Sequence, residues 1–247
     1  MKQFDLSKTT LISFEINNDC NMKQLHKECP INIRKYKKKK ALTSEKIIEC
    51  IKQAKEIGFN GYITFHNYNE PLISKDQIIG IINEFPTEKY LLWTNGLLLD
   101  RNVTNNSYIK LFNLIYISCY NTEDMPFFED IKTFHGRVHI EKITMDDRIN
   151  IYQRMPTNNI ACKRPFFDLP IDHYGNVHLC CFDWKNEYEI GNIFDSSLHE
   201  IVYSKIYQGL LAAAEKRLLD LNNCPDICKK CSAPWVSYTK YYDIDGG

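Results

Sequence analysis

No run of apolar residues in this 247-residue chain is long. Nothing approaches the roughly 18 consecutive apolar residues of a membrane-spanning helix, so the sequence offers no spanning segment. The opening residues, MKQFDLSKTT, hold no apolar stretch that could serve as a signal peptide. Net charge is missing too: 31 basic and 31 acidic residues cancel. Whole-chain electrostatics therefore leave no footprint for nucleic acid or an anionic lipid surface. Internal repeats and low-complexity stretches are absent. Hydrophobic residues at 44% and charged residues at 25% are ordinary for a globular protein. The length suffices for one large domain or two smaller ones. These features predict a cytoplasmic protein with a sizeable core, bound to neither nucleic acid nor membrane.

What the chain has in quantity is cysteine, ten in all. In a reducing compartment, clustered thiols point to metal or redox chemistry rather than to a disulfide framework. Cys20 and Cys29 share one early loop, Cys50 and Cys119 stand alone, and six fall between Cys162 and Cys231. Cys50, on the apolar face of its helix, and Cys119, on a strand, read as small core residues.

The first 145 residues alternate between two kinds of pattern. Short apolar runs at 10–16, 61–66, 89–95, 114–120 and 137–143 predict strands. Between them, 44–58 reads as a helix capped by Thr43 or Ser44 and ended by Gly58. A second helix is expected over 75–85 and a weaker one near 100–112. Strands apolar on both faces and separated by helices predict a parallel sheet, hence an α/β fold. Five repeats are too few for a closed barrel of eight strands, so an open, partial (β/α) barrel is expected over residues 1–147. From about 148 the rhythm stops. A smaller second domain is expected over 148–247, with a β-hairpin at 171–184 turning at Gly175-Asn176. A helix over 197–219, broken at Gly209, and a loop at 222–235 complete it. The basic run RKYKKKK (34–40) reads as a solvated loop.

In such a sheet, ligands collect at the C-terminal ends of the strands. The polar segments NNDCNMKQLHKECPIN, HNYNEPL, TNG and SCYN follow strands one to four in turn. They converge on one rim.

Together with the later cysteines, these segments resemble the radical S-adenosylmethionine (SAM) enzymes that carry a C-terminal auxiliary-cluster extension of the SPASM or twitch type. The resemblance runs from about residue 9 to 235. That family carries CxxxCxxC after strand one, often as CN-x-x-C-x-x-CP, and its three thiolates hold a [4Fe–4S] cluster that leaves one iron open for SAM. Here Cys20-Asn21 matches the first position and Cys29-Pro30 the last, but His26 stands where the middle cysteine belongs, giving C-x5-H-x2-C. Three readings stay open: His26 is the third ligand, as imidazole is in some clusters; Cys50 or an acidic residue supplies it; or the cluster is lost.

Asn67-Tyr68-Asn69-Glu70-Pro71-Leu72 stands where the family has GGEP or GYGEP, with Asn69 in place of a glycine. The resemblance implies that this loop and Glu70 meet the methionine ammonium, for which a carboxylate and carbonyls are suited. It likewise implies SAM contacts from Asn69, Pro71, Thr94, Asn95 and Ser118. Further on, Cys162, Gly175-x4-Cys180 and Cys228-x2-Cys231 match the auxiliary-cluster pattern. That match implies a second [4Fe–4S] cluster on Cys162, Cys180, Cys228 and Cys231, with Cys181 or Cys224 as substitutes. Four thiols also suit structural zinc.

The resemblance implies a 4Fe–4S-dependent oxidoreductase. SAM would be cleaved reductively to a 5′-deoxyadenosyl radical, which would abstract hydrogen from a substrate. The electron would come from an external donor such as flavodoxin or ferredoxin. The short extension resembles the twitch dehydrogenases, which oxidise an alcohol on a sugar or aminocyclitol. Peptide-modifying members are the alternative, though this chain shows no recognition domain ahead of strand one. A non-catalytic iron–sulfur or zinc protein on a degenerate scaffold is the rival from another class. No residue stands out as a catalytic acid or base.

Overall fold

In the computed structural model, residues 6–25, 29–34, 40–143, 162, 164–215 and 225–231 are described. Strand β1 (Leu11–Phe14) is buried along its whole length. It leads into the cysteine loop and the short helix α1 (Pro30–Ile33). Helix α2 (Ser44–Glu56) starts where the Thr43 side chain accepts a hydrogen bond from Lys46 N at 3.3 Å. Its Ile47, Cys50, Ile51 and Ala54 recur at helical spacing and form the buried stripe. Next come β2 (Tyr62–Thr64), α3 (Lys75–Glu84), β3 (Lys89–Thr94) and β4 (Leu114–Cys119). Helix α4 (Met125–His135) and β5 (Val138–Lys142) follow, then α5 (Arg164–Phe167) running straight into β6 (Asp168–Ile171). Helices α6 (Leu198–Val202), α7 (Lys205–Glu215) and α8 (Asp226–Lys230) complete the described chain.

The six strands form one parallel sheet in the order β5-β4-β3-β2-β1-β6. The sheet is open, as a partial barrel requires. The larger apolar core, including Phe14, Ile47, Ile81 and Ile131, packs the helices against one face. The opposite face carries Leu11, Leu91, Leu114 and Tyr116, flanked by Tyr62 and Trp93. Full burial of each such side chain contributes roughly 1.5–3 kcal/mol.

Five strands fall where the apolar runs put them; the sixth does not. β6 lies beyond residue 147, within the stretch expected to form a second domain, and pairs Leu11 with Asp168 through Phe14 with Ile171. Asp168 and Pro170 interrupt its apolar pattern, which hides it in the sequence. The expected hairpin at 171–184 is reduced to isolated bridges, Ile171 to Val177 and Asn176 to Asn192. Its turn is held by the Asp172 carboxylate, which accepts from Tyr174 N and Asn176 N, each at 2.9 Å. Gly175 takes φ +79° in that turn.

Among the described residues, the helix expected over 197–219 is two helices, and the break lies at Tyr203-Ser204 instead of Gly209; residues 216–219 lie outside the described residues. Ser204 Oγ accepts from Tyr207 N at 3.1 Å and restarts the helix, while Gly209 lies inside α7. Part of the expected loop 222–235 is helix α8. The weak helix near 100–112 is a 3-10 segment, Val103–Leu111, kinked at Asn106. The Asn106 side chain there exchanges hydrogen bonds with the Asp100 backbone, competing with regular helix. Of the basic run 34–40, Arg34 is buried against Glu15 and not solvated. Residues 35–39 lie outside the described residues. Among the described residues, no helix is long and apolar enough to cross a membrane.

Candidate active site

A cavity of about 370 Å³ opens at the C-terminal ends of the strands. Cys20 and Cys29 line one side, with Asn69, Glu70, Thr94, Asn95 and Ser118 beside them. Arg164, Asp168, Cys181, Phe182 and Trp184 face them from the C-terminal region. His66 and Trp93 form part of the floor.

Glu70 is only 2% exposed and its carboxylate is held by the protein itself. Oε1 accepts from Leu72 N at 3.1 Å and from Thr94 Oγ1 at 2.7 Å, and Oε2 accepts from Asn95 N at 2.9 Å. Burial raises its pKa, and the three donors work against that rise. Glu70 thus fastens the loop after β2 to the end of β3. Asn69 substitutes for a glycine by bracing the turn: its Oδ1 accepts from Asn67 N and its Nδ2 donates to Phe65 O. Pro71 opens a 3-10 turn, Pro71–Ser74. Ser118 Oγ accepts from Trp93 Nε1 at 3.1 Å.

The cysteine loop is tied to the same rim. Glu70 N donates to Asp19 O at 2.8 Å, and Asn95 Nδ2 donates to Asn21 Oδ1 at 2.7 Å. Met22 N points at Cys20 Sγ, 3.4 Å away, as amides do toward cluster sulfurs. Cys20 is half-buried and Cys29 buried. His26 and Cys224 lie outside the described residues. Cys50 sits in the helix-side core, where burial pushes its thiol up to about 12, and it does not line the cavity. Cys119 is likewise buried in the core, its thiol donating to Asn121 O.

Cys162, Cys180, Cys228 and Cys231 are all buried. Burial raises the Cys180 thiol well above its ordinary value, and the nearby Cys181, Cys228 and Cys162 raise it further. These thiols are close enough to feel one another's charge, a repulsion that a bound cationic metal group relieves. Among the described residues, no three His, Cys, Asp or Glu side chains converge tightly enough for a single metal ion. One tetrahedral zinc would draw its sulfurs to within about 2.3 Å of the metal. Four buried thiols are a donor set that suits an iron–sulfur group as well as structural zinc. Cys181 is held up at about 11 by burial, opposed by Arg164.

Arg164, Tyr116 and His139 carry no motif in the sequence. Arg164 packs over the Phe182 ring at 4.7 Å. His66, just past β2, and Trp93, Tyr116 and His139 on β3 to β5 form a row, with successive ring centroids 5.1, 4.9 and 4.9 Å apart. Strand alternation could have found this row, because Trp93, Tyr116 and His139 are register partners.

Residues 162–232 match the model of SPASM, an iron-sulfur cluster-binding domain. The match begins at Cys162 and ends one residue past Cys231. Over 249 residues the chain is 22% identical to the S-adenosyl-L-methionine-dependent 2-deoxy-scyllo-inosamine dehydrogenase of Niallia circulans, covering 95% of this chain and 97% of that protein. The crystal structure of BtrN in complex with AdoMet and 2-DOIA superposes with a TM-score of 0.71 at 20% identity, over 91% of this chain and 93% of that one. Streptococcus suis SuiB bound to its precursor peptide SuiA is a more distant likeness, with a TM-score of 0.52 at 12% identity over 93% of this chain and 72% of that one. The resemblance to radical SAM enzymes with an auxiliary-cluster region therefore extends from the motifs to the whole fold.

Proposed function

We propose that the chain is a radical SAM dehydrogenase that oxidises a hydroxyl-bearing carbon of a small molecule, an aminocyclitol or a related sugar. The full-length likeness to the Niallia circulans dehydrogenase carries this reading. The cavity supports it, because cysteine loop, Glu70 loop and SPASM region all face one space of small-molecule size.

In this reading Cys20 and Cys29 hold the first [4Fe–4S] cluster with His26 as third ligand. The 67–72 loop with Asn69, Glu70 and Pro71, together with Thr94, Asn95 and Ser118, seats SAM. Cys162, Cys180, Cys228 and Cys231 hold the auxiliary cluster, with Cys181 or Cys224 as substitutes. Residues 1–147 and 148–247 are the two functional regions, and the second lends β6 to the sheet of the first. When bound, the first cluster and SAM supply the hydrogen-abstracting radical, and the auxiliary cluster offers an acceptor for the electron that substrate oxidation releases. The protein's part is to seat the substrate between the two groups and to keep water out. Arg164 and Asp168 place opposite charges on the substrate side of the cavity. The external electron donor is a flavodoxin or ferredoxin, and the enzyme works in the cytoplasm without nucleic acid.

The test is anaerobic reconstitution followed by reduction in the presence of SAM and a panel of deuterated aminocyclitols. Formation of 5′-deoxyadenosine carrying deuterium from one of them supports the reading. If cluster-replete protein yields no 5′-deoxyadenosine, the chain is a binding protein. If it does so only with peptides, the substrate class is wrong.

A further inference from the structure

One buried carboxylate gathers three of the segments that the proposed reaction needs. Glu15 directly follows β1 and is fully buried. Arg34, which follows α1 at the far end of the cysteine loop, grips it in a two-pronged ion pair: Nη2 to Oε1 at 2.6 Å and Nη1 to Oε2 at 3.0 Å. The Tyr68 backbone N–H, in the Glu70 loop, donates to Oε1 at 3.3 Å. The His173 backbone N–H, in the turn of the SPASM region, donates to Oε2 at 3.2 Å. The side chains of the pair are only 4% and 0% exposed.

A second layer repeats the connection. The Arg34 guanidinium lies over the Tyr68 ring, 4.9 Å from its centroid, and the Tyr68 hydroxyl donates to the Cys181 carbonyl. Desolvating a buried ion pair offsets most of its Coulombic gain, so net stability is a weak reason for such a pair. What this pair achieves is registration. A planar guanidinium gripping a carboxylate through two bonds fixes direction as well as distance.

We propose that Glu15 is a positioning residue, which sets the cysteine loop, the Glu70 loop and the auxiliary-cluster region against one another through Arg34, Tyr68 and His173. The inference rests on the proposed function, since its purpose is to fix two cofactor sites across one substrate cavity. Neither Glu15 nor Arg34 lies among the residues assigned to clusters or SAM, and Glu15 does not line the cavity.

Full-length Glu15→Gln, Arg34→Lys and Tyr68→Phe variants test this, with Lys55→Met as control because Lys55 pairs with Glu88 elsewhere on the surface. Amide hydrogen exchange is followed in cluster-free protein, and SAM affinity in reconstituted protein well below the melting temperature. Glu15→Gln is expected to speed exchange in three segments at once, around 17–25, 67–74 and 172–184, and to weaken SAM binding about tenfold or more, a loss of one decade in affinity. Tyr68→Phe should loosen only the last two segments. Lys55→Met should loosen none of the three. Loosening confined to one segment, or unchanged SAM affinity, overturns the proposal. Should Glu15→Gln fail to fold, Arg34→Lys keeps the charge but loses the fork, and the same pattern must appear in weaker form or the idea fails. Absence of SAM binding in cluster-replete wild-type protein overturns the functional reading instead, and leaves the exchange pattern to decide the role of Glu15.

Discussion

Arg164 Nη1 donates to Cys181 Sγ at 3.1 Å. This contact puts a permanent cation on a thiol that faces the cavity but stands outside the spacing that supplies Cys162, Cys180, Cys228 and Cys231. Burial pushes the Cys181 thiol up and Arg164 draws it back, leaving it at about 11. Arg164→Met removes the opposing charge. Iodoacetamide labelling of Cys181 in cluster-free protein should then slow about threefold or more at pH 8.5, since the thiolate is the reactive form. An unchanged rate would mean the guanidinium does not govern this thiol.

His26 decides whether the cysteine loop is complete. If its imidazole is the third ligand, His26→Ala abolishes the SAM-induced shift of the cluster's electron paramagnetic resonance signal, and His26→Cys keeps a SAM-responsive cluster. A SAM-responsive signal that survives His26→Ala assigns the third position to another residue.

Thr94 is the shortest of the three donors to Glu70, at 2.7 Å. Thr94→Val keeps the shape and deletes the hydroxyl, leaving a buried carboxylate one donor short. The expected cost is about 1–3 kcal/mol in urea unfolding, with weaker SAM binding, because the end of β3 is no longer fastened to the Glu70 loop. A Thr94→Val protein as stable as wild type would show that Glu70 is held well enough by Leu72 and Asn95.

Asp183 gives the fold a pH signature. Burial raises its pKa from 3.8 to about 6, against the pull of His178 and of the Glu187 and Leu179 amides. The folded state therefore binds the proton more tightly than the unfolded chain. The stability that proton contributes is complete below about pH 4 and is lost as pH rises toward 6. Asp183→Asn removes this slope. The variant should match wild type near pH 4 and exceed it by on the order of 2 kcal/mol at pH 7, read from urea midpoints of cluster-free protein. Parallel pH curves for the two proteins would refute the assignment.

The rim was legible because a parallel sheet fixes where polar residues must go. Once five apolar runs were strands, Asn69, Glu70, Thr94, Asn95 and Ser118 had to sit at one end, and all of them line the cavity. What stayed hidden was whatever lacks a period. Arg34 opens a run of lysines and reads as solvated, yet its partner lies 19 residues earlier in the chain. No pattern in either segment announces that pairing. β6 escaped for a related reason: a four-residue strand containing Asp168 and Pro170 carries too little alternation to be recognised before its partner is known. Helix α4, MPFFEDIKTFH, has a clear apolar face but was not singled out from the segment between the fourth and fifth strands.

The place of β6 also bears on how the molecule is made. β1 has β2 on one side and β6 on the other, and Thr10 reaches Phe167 across 157 residues of chain. During synthesis, β1 leaves the ribosome well before β6, and its second edge stays unsatisfied until residue 171 emerges. A bare strand edge of this kind is a template for wrong partners. Nascent chains that stall between β5 and β6 should therefore be the aggregation-prone species.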